Sequence, residues 1–198
     1  AESQQSTAPR PTGPRRDVTT PLWAEGNSNT MQTVVLAAGE GTRMRPLTAR
    51  RPKPMLPVGD RPLVAHTVRA AVRAGASKIV LVVGYEADDV RSYFDSRESE
   101  VPIEFATQHD QRGTADAVRA GADRLDDAPF VVLNGDALYD AAGLAALYDG
   151  GPAVGSFRVD NPSDYGVLDV DDGTVRGVIE KPADPPSDLI NAGAYPFP

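Results

Sequence analysis

Between residues 33 and 149 the chain keeps alternating a short apolar run with a longer stretch of helical periodicity. Thr33–Ala38, Lys78–Val83, Val101–Thr107 and Phe130–Asn134 read as strands. The segments 62–74, 86–97, 114–125 and 140–148 read as helices. In the first of these, Val64, Val68, Ala71 and Val72 fall on one helical face, and Gly75 supplies a stop. Thr114 is placed to act as an N-cap. Strand, helix and strand at this spacing require right-handed crossovers. The expected fold is therefore α/β, a Rossmann-like three-layer sandwich around a mainly parallel, mixed sheet. In such a sheet ligands sit beyond the carboxyl ends of the strands. The loops to search are 39–57, 84–86, 108–113 and 135–139.

Past residue 150 the pattern shortens. Segments 154–159, 166–170 and 175–180 read as turn-linked strands, with Asp171-Asp172-Gly173 as a hairpin turn. Residues 1–30 hold Pro9, Pro11, Pro14 and Pro21 among Ser, Thr, Gln and Asn without periodicity. They are expected to be a disordered tail ahead of one domain, 31–198.

Charge is unevenly spread along the chain. The formal total is −8, yet residues 31–80 carry nine basic side chains against two acidic ones. That basic block coincides with the glycine loop after the first strand, as an anionic ligand requires. Lysines number three against seventeen arginines, a bias expected of a salt-adapted (halophilic) composition. Cysteine is absent, which excludes disulfides and thiolate metal sites and fits a cytoplasmic protein. No apolar run is long enough for a bilayer, so no membrane partner is expected. Aromatics are only 6% of the chain and the basic residues gather at one loop, which argues against nucleic-acid binding. A homo-oligomer is compatible with all of this.

The loop itself reads Gly39-Glu40-Gly41-Thr42-Arg43-Met44. Met44 stands where a dinucleotide fingerprint needs its third glycine, and no P-loop motif is present. Pro46, Pro52, Pro54 and Pro57 stiffen the next segment, and Lys53 sits between two of these prolines. Gly113-Thr114 alone would be a helix start, and Asp136 alone a turn residue. His66 and His109 read as ordinary structural or surface residues.

Residues 36–44, Leu-Ala-Ala-Gly-Glu-Gly-Thr-Arg-Met, and 52–58, Pro-Lys-Pro-Met-Leu-Pro-Val, together resemble the entry motif of the sugar-phosphate nucleotidylyltransferases. Further resemblances come in the family's order across 33–195. They imply a reaction between a nucleoside triphosphate and a sugar 1-phosphate that releases pyrophosphate. Leu36, Ala37, Ala38, Gly39, Gly41 and Thr42 would hold the nucleotide, with Gln108, Gly113 and Thr114 at a pyrimidine base. Arg43 would neutralise the leaving phosphates, and Lys53 would bridge the α-phosphate and the sugar phosphate. Asp136 would bind Mg²⁺, which favours one or two carboxylates plus phosphate oxygens. Gly166, Glu180, Lys181 and Asn191 would take the sugar phosphate.

The pairing of Gln108 with Gly113-Thr114, together with Asn191-Ala192-Gly193, resembles the UDP-N-acetylglucosamine pyrophosphorylase branch. The proline-rich loop between Arg43 and Lys53 resembles the thymidylyltransferases. UTP with N-acetylglucosamine 1-phosphate is the expected pair, and glucose 1-phosphate with dTTP or UTP the alternative. A non-catalytic nucleotide-sugar-binding homologue would lack Arg43, Lys53 and Asp136, and all three are present. The domain is expected to be incomplete at its C-terminus, beyond which the second metal ligand and any acyltransferase β-helix of the family would lie.

Overall fold

The computed structural model describes residues 31–39, 41, 44–48, 51–84, 87–110, 112–149 and 151–198. The expected tail, together with Thr42 and Arg43, lies outside them. The main sheet has five strands: β1 (Gln32–Ala37), β4 (Lys78–Val83), β5 (Ile103–Thr107), β6 (Phe130–Asn134) and β11 (Ala194–Phe197). Their order is β11-β6-β1-β4-β5. β6, β1, β4 and β5 run parallel, and only β11 runs antiparallel, against β6. The helices are α1 (Leu63–Ala74), α2 (Ala87–Asp95), α3 (Thr114–Ala122) and α4 (Ala141–Asp149).

Period-two alternation sorts the strand residues onto two faces. Val35, Ala37, Ile79, Leu81, Val83, Val131 and Leu133 pack with buried residues of α1, α2 and α4. Val34, Val80, Val82, Ala106 and Val132 pack with Ala117 of α3. The result is the expected three-layer arrangement, with strands that are apolar on both faces because both are covered.

A second sheet is antiparallel, in the order β7-β10-β8-β9. Its strands are β7 (Ser156–Arg158), β8 (Gly166–Asp171), β9 (Thr174–Glu180) and β10 (Leu189–Asn191). The β8–β9 hairpin turns through Asp172 and Gly173, both at positive φ, as a two-residue mirror-image turn requires. A further two-residue pair, β2 (Pro57–Val58) and β3 (Arg61–Pro62), precedes α1. β10 and β11 are not evident from periodicity. β10 has three residues, and β11 contains Pro196, which an edge strand tolerates but which weakens any strand signal. Thr114 is not the cap of α3. Gly113 occupies that position at φ 99°, with no side-chain cap, and Thr114 is the first helical residue.

Two tyrosines, Tyr148 buried and Tyr139 half-buried, tie the layers together. The Tyr148 hydroxyl on α4 lies 2.7 Å from Thr33 Oγ1 on β1, and Thr33 has no solvent exposure. The Tyr139 hydroxyl accepts from the Asn134 backbone N–H at 3.1 Å and donates toward the Gly193 carbonyl at 2.9 Å. It thus clamps the end of β6 to the β10–β11 turn. Gly193 has φ 70°, and a β-carbon there would overlap the Asn134 side-chain amide.

Two outcomes are expected. Gly193→Ala should lose at least about 1–2 kcal/mol in urea denaturation, from left-handed backbone alone, and should displace the Asn134 side chain. Burial pushes the Tyr148 hydroxyl up to about 12, whereas an unfolded tyrosine ionises near ~10. The unfolded state therefore sheds this proton first, and the contribution is complete below ~10. Stability should fall as pH rises from ~10 toward 12, with delayed phenolate absorbance for the buried tyrosines in an ultraviolet titration. Phenolate appearing in full near ~10 in the folded protein would contradict the burial argument.

Candidate active site

The chain leaves β1 for β4 and β5 on one side, then returns to place β6 on the other. That reversal opens a crevice at the carboxyl ends of the strands, as a doubly wound sheet demands. A cavity of about 340 Å³ lies there. Leu36, Ala38 and Gly39 line it from the end of β1, Gln108 from the end of β5, and Asn134 and Asp136 from the end of β6. Lys53 and Pro54 close one wall, and Gly113 with Thr114 and Ala117 of α3 another.

Lys53 is held by local backbone geometry. Residues Lys53–Met55 form a 3-10 turn in which the Met55 N–H donates to the Pro52 carbonyl at 2.8 Å and the Leu56 N–H to the Lys53 carbonyl at 3.1 Å. Its Nζ lies 2.5 Å from Asp136 Oδ2, an ion pair that joins positions 83 residues apart. Both side chains keep access to solvent, 29% for Lys53 and 39% for Asp136. Gly41 makes room for this lysine. At φ 65° it presses against it, and a β-carbon there would stand 2.6 Å from Lys53 Cβ. The Gly41 carbonyl also accepts a bond from the Thr48 hydroxyl at 2.9 Å.

Gln108 is buried, with 7% exposure. Its backbone N–H donates to the Val83 carbonyl at 2.8 Å, which extends the β4–β5 pairing one residue past the end of β5. Its side-chain amide reaches the first turn of α3 and spans the loop between them.

The four residues expected at the sugar phosphate form a second cluster, on the antiparallel sheet. Gly166 pairs with Glu180 across β8 and β9, and a β-carbon at 166 would lie 3.2 Å from Glu180 Oε2. The Asn191 Nδ2 donates to the Tyr195 hydroxyl at 2.6 Å, and its Oδ1 accepts from the Gly193 N–H at 3.0 Å. Lys181 comes next along the chain from Glu180, at φ 47°, with its N–H on the Tyr165 carbonyl at 2.9 Å. None of these four lines the cavity. Gly193 connects the two groups, bonded to Asn191 on one side and packed against Asn134 on the other.

Ala37 also lies off the cavity, since alternation turns its methyl into the opposite core layer. His66 Nε2 lies 2.8 Å from the Val58 carbonyl, a structural bond, and His109 is exposed. Pro54, Ala117 and Asn134 are wall residues that sequence reasoning did not single out. Asn134 was within reach, because it opens the Asn-Gly-Asp run that marks the end of β6. Among the described residues, no three His, Cys, Asp or Glu side chains gather as a metal cage. No helix among them is long and apolar enough to cross a membrane.

The nucleotidyl transferase family model matches residues 32–198. A UTP–glucose-1-phosphate uridylyltransferase, AglF, of Haloferax volcanii is 39% identical over 175 residues, covering 84% of this chain and 72% of that protein. The bifunctional protein GlmU of Methanococcus vannielii is 39% identical over 173 residues, covering 83% of this chain but 40% of its own length. Among solved structures, a UDP-glucose pyrophosphorylase complexed with UDP-glucose superposes with a TM-score of 0.74 at 25% identity, over 85% of this chain and 76% of that one. Fold, family model and relatives converge, and the chain belongs to the nucleotidyl transferase family, with sugar-1-phosphate nucleotidyltransferases as its kin.

Proposed function

We propose that the protein transfers a uridylyl group from UTP to N-acetylglucosamine 1-phosphate. A sugar-phosphate oxygen attacks the α-phosphorus in line, the bond from the α-phosphorus to the bridging oxygen breaks, and pyrophosphate departs. The observation that carries this reading is the Lys53–Asp136 pair at the switch point, facing Gln108 across one cavity. Such a reaction needs no protein nucleophile, only anions brought together and their charge offset.

Lys53 supplies a fixed positive charge where the α-phosphate and the sugar phosphate meet. Arg43, outside the described residues, would be the second cation and would offset the departing β- and γ-phosphates. Asp136 is a single accessible carboxylate with a cation already against it, a donor suited to a divalent ion held mainly by substrate phosphates. Magnesium bound there would supply Lewis-acid neutralisation of the phosphate charge. Gly166, Glu180, Lys181 and Asn191 take the sugar side; the link from Asn191 through Gly193 to Asn134 on the cavity wall supports that reading. Glucose 1-phosphate is the second reading, supported by the named activity of the Haloferax volcanii relative.

Pyrophosphate release across four nucleoside triphosphates and three sugar 1-phosphates tests the assignment, with UTP and N-acetylglucosamine 1-phosphate expected to be fastest. Lys53→Ala should cut turnover by about 10²-fold or more while leaving the melting temperature within a few degrees, because it removes charge stabilisation from a solvent-accessible wall. A wild-type rate in that variant would reject the role. Asp136→Asn should weaken Mn²⁺ or Mg²⁺ binding in a calorimetric titration of the nucleotide complex. An unchanged titration would move the metal elsewhere.

A further inference from the structure

Gln108 presents its side-chain amide to the cavity in one orientation only. A primary amide nitrogen carries two hydrogens. Here Nε2 donates to the Gly113 carbonyl at 3.2 Å and to Asp116 Oδ2 at 2.9 Å, so both hydrogens are spent inside the protein. Turning the amide over would set its carbonyl oxygen against a backbone carbonyl and a carboxylate, an acceptor facing two acceptors with no hydrogen between them. The orientation is therefore dictated by the chemistry of the neighbours and not by an assignment of atoms. What Gln108 has left for a ligand is acceptor capacity on Oε1.

We infer that Asp116 is a positioning residue for base selection: it holds the Gln108 amide so that the cavity accepts a base offering a ring N–H and disfavours one offering a ring lone pair. Uracil and thymine carry that hydrogen on N3 and guanine on N1, whereas cytosine N3 and adenine N1 are acceptors. This inference rests on the nucleotide reading above and deepens it. Asp116 stands in the first turn of α3, half-buried, and is not among the residues that line the cavity. It acts through Gln108 and not by touching the base. Without it, one Nε2 hydrogen is released, only the 3.2 Å bond to the Gly113 carbonyl still holds the amide, and a donor as well as an acceptor can face the ligand.

The test is a set of binding titrations of UTP, CTP, GTP and ATP with Mg²⁺ on wild type, Asp116→Leu and Asp116→Asn, with melting temperatures taken alongside. Wild type should bind UTP at least about tenfold more tightly than CTP, the scale of one misplaced buried hydrogen bond. Asp116→Leu should shrink that ratio toward unity, chiefly by gaining CTP. Asp116→Asn should restore it, because an asparagine carbonyl can still accept from Nε2. A merely structural role would weaken all four nucleotides together, lower the melting temperature and leave the ratio alone; that result, or a failure of Asp116→Asn to rescue, overturns the inference while the nucleotide reading stands. A wild type that prefers GTP would support Asp116's role and shift the proposed base to guanine. A preference for CTP or ATP overturns the inference, and a wild type that binds none of the four overturns it together with the parent reading.

Discussion

The parallel pairing of β1 with β4 on one side and β6 on the other is the constraint on which the rest of the molecule depends. Because β1 is central, Val34 and Val35 are fully buried on opposite faces, and both helical layers must exist to cover them. At about 25 cal/mol per Å² of buried apolar surface, no single exposed-face strand could match that contribution. The same centrality decides where chemistry can occur. Parallel strands all end on one edge, so β1, β5 and β6 deliver Gly39, Gln108 and Asp136 to one crevice despite their separation in sequence. The reversal of direction around β1 keeps that crevice from being filled by a crossover.

Sheet, helices and most of the cavity wall were legible in the sequence because they rest on local rules. Apolar runs such as Lys78–Val83 and the Leu63–Ala74 periodicity signal themselves without help from distant residues. The Asp172-Gly173 turn is equally local, since few residues accept two successive positive φ values. What escaped was set by tertiary contact. β10 and β11 are strands only because β7, β8 and β6 pair with them. Thr114 has the side chain of a cap, but the glycine before it adopts φ 99° and takes the capping place itself. Ala117 enters the cavity wall because α3 lies against Val34 and Val82, which periodicity alone does not announce.

The candidate site divides in the same way. The cavity residues were legible as a group because they come directly after strands of one parallel sheet. The cluster proposed for the sugar depends on an antiparallel sheet joined to the main one in part through Tyr139 and Gly193. Tyr139 is half-buried against the Asn134 and Gly193 backbone, and the loss of water around its hydroxyl raises it well above the ordinary tyrosine range. It therefore stays neutral and keeps its hydrogen for these bonds at any physiological pH. Asn134 feels both sides, through its backbone to Gly193 at 2.9 Å and through its side chain on the cavity wall. A change at this joint reaches the cavity and the second cluster at once.

The Lys53–Asp136 pair makes sense as an exchangeable contact and not as a brace. Ion pairs with this much solvent access contribute about 0–1 kcal/mol, too little to matter to a fold held by the buried layers. Weakness is useful at that position. A strongly desolvated pair would resist separation, whereas an accessible one can surrender either partner at small cost. In the proposed reaction a phosphate takes the lysine and a divalent ion takes the carboxylate, so each partner of the pair exchanges one opposite charge for another. The cavity then never confronts an isolated lysine or an isolated aspartate. Stiff backbone at Pro52 and Pro54 is what allows so weak a pair to hold its geometry, because the lysine's root is fixed by the turn and not by the contact itself.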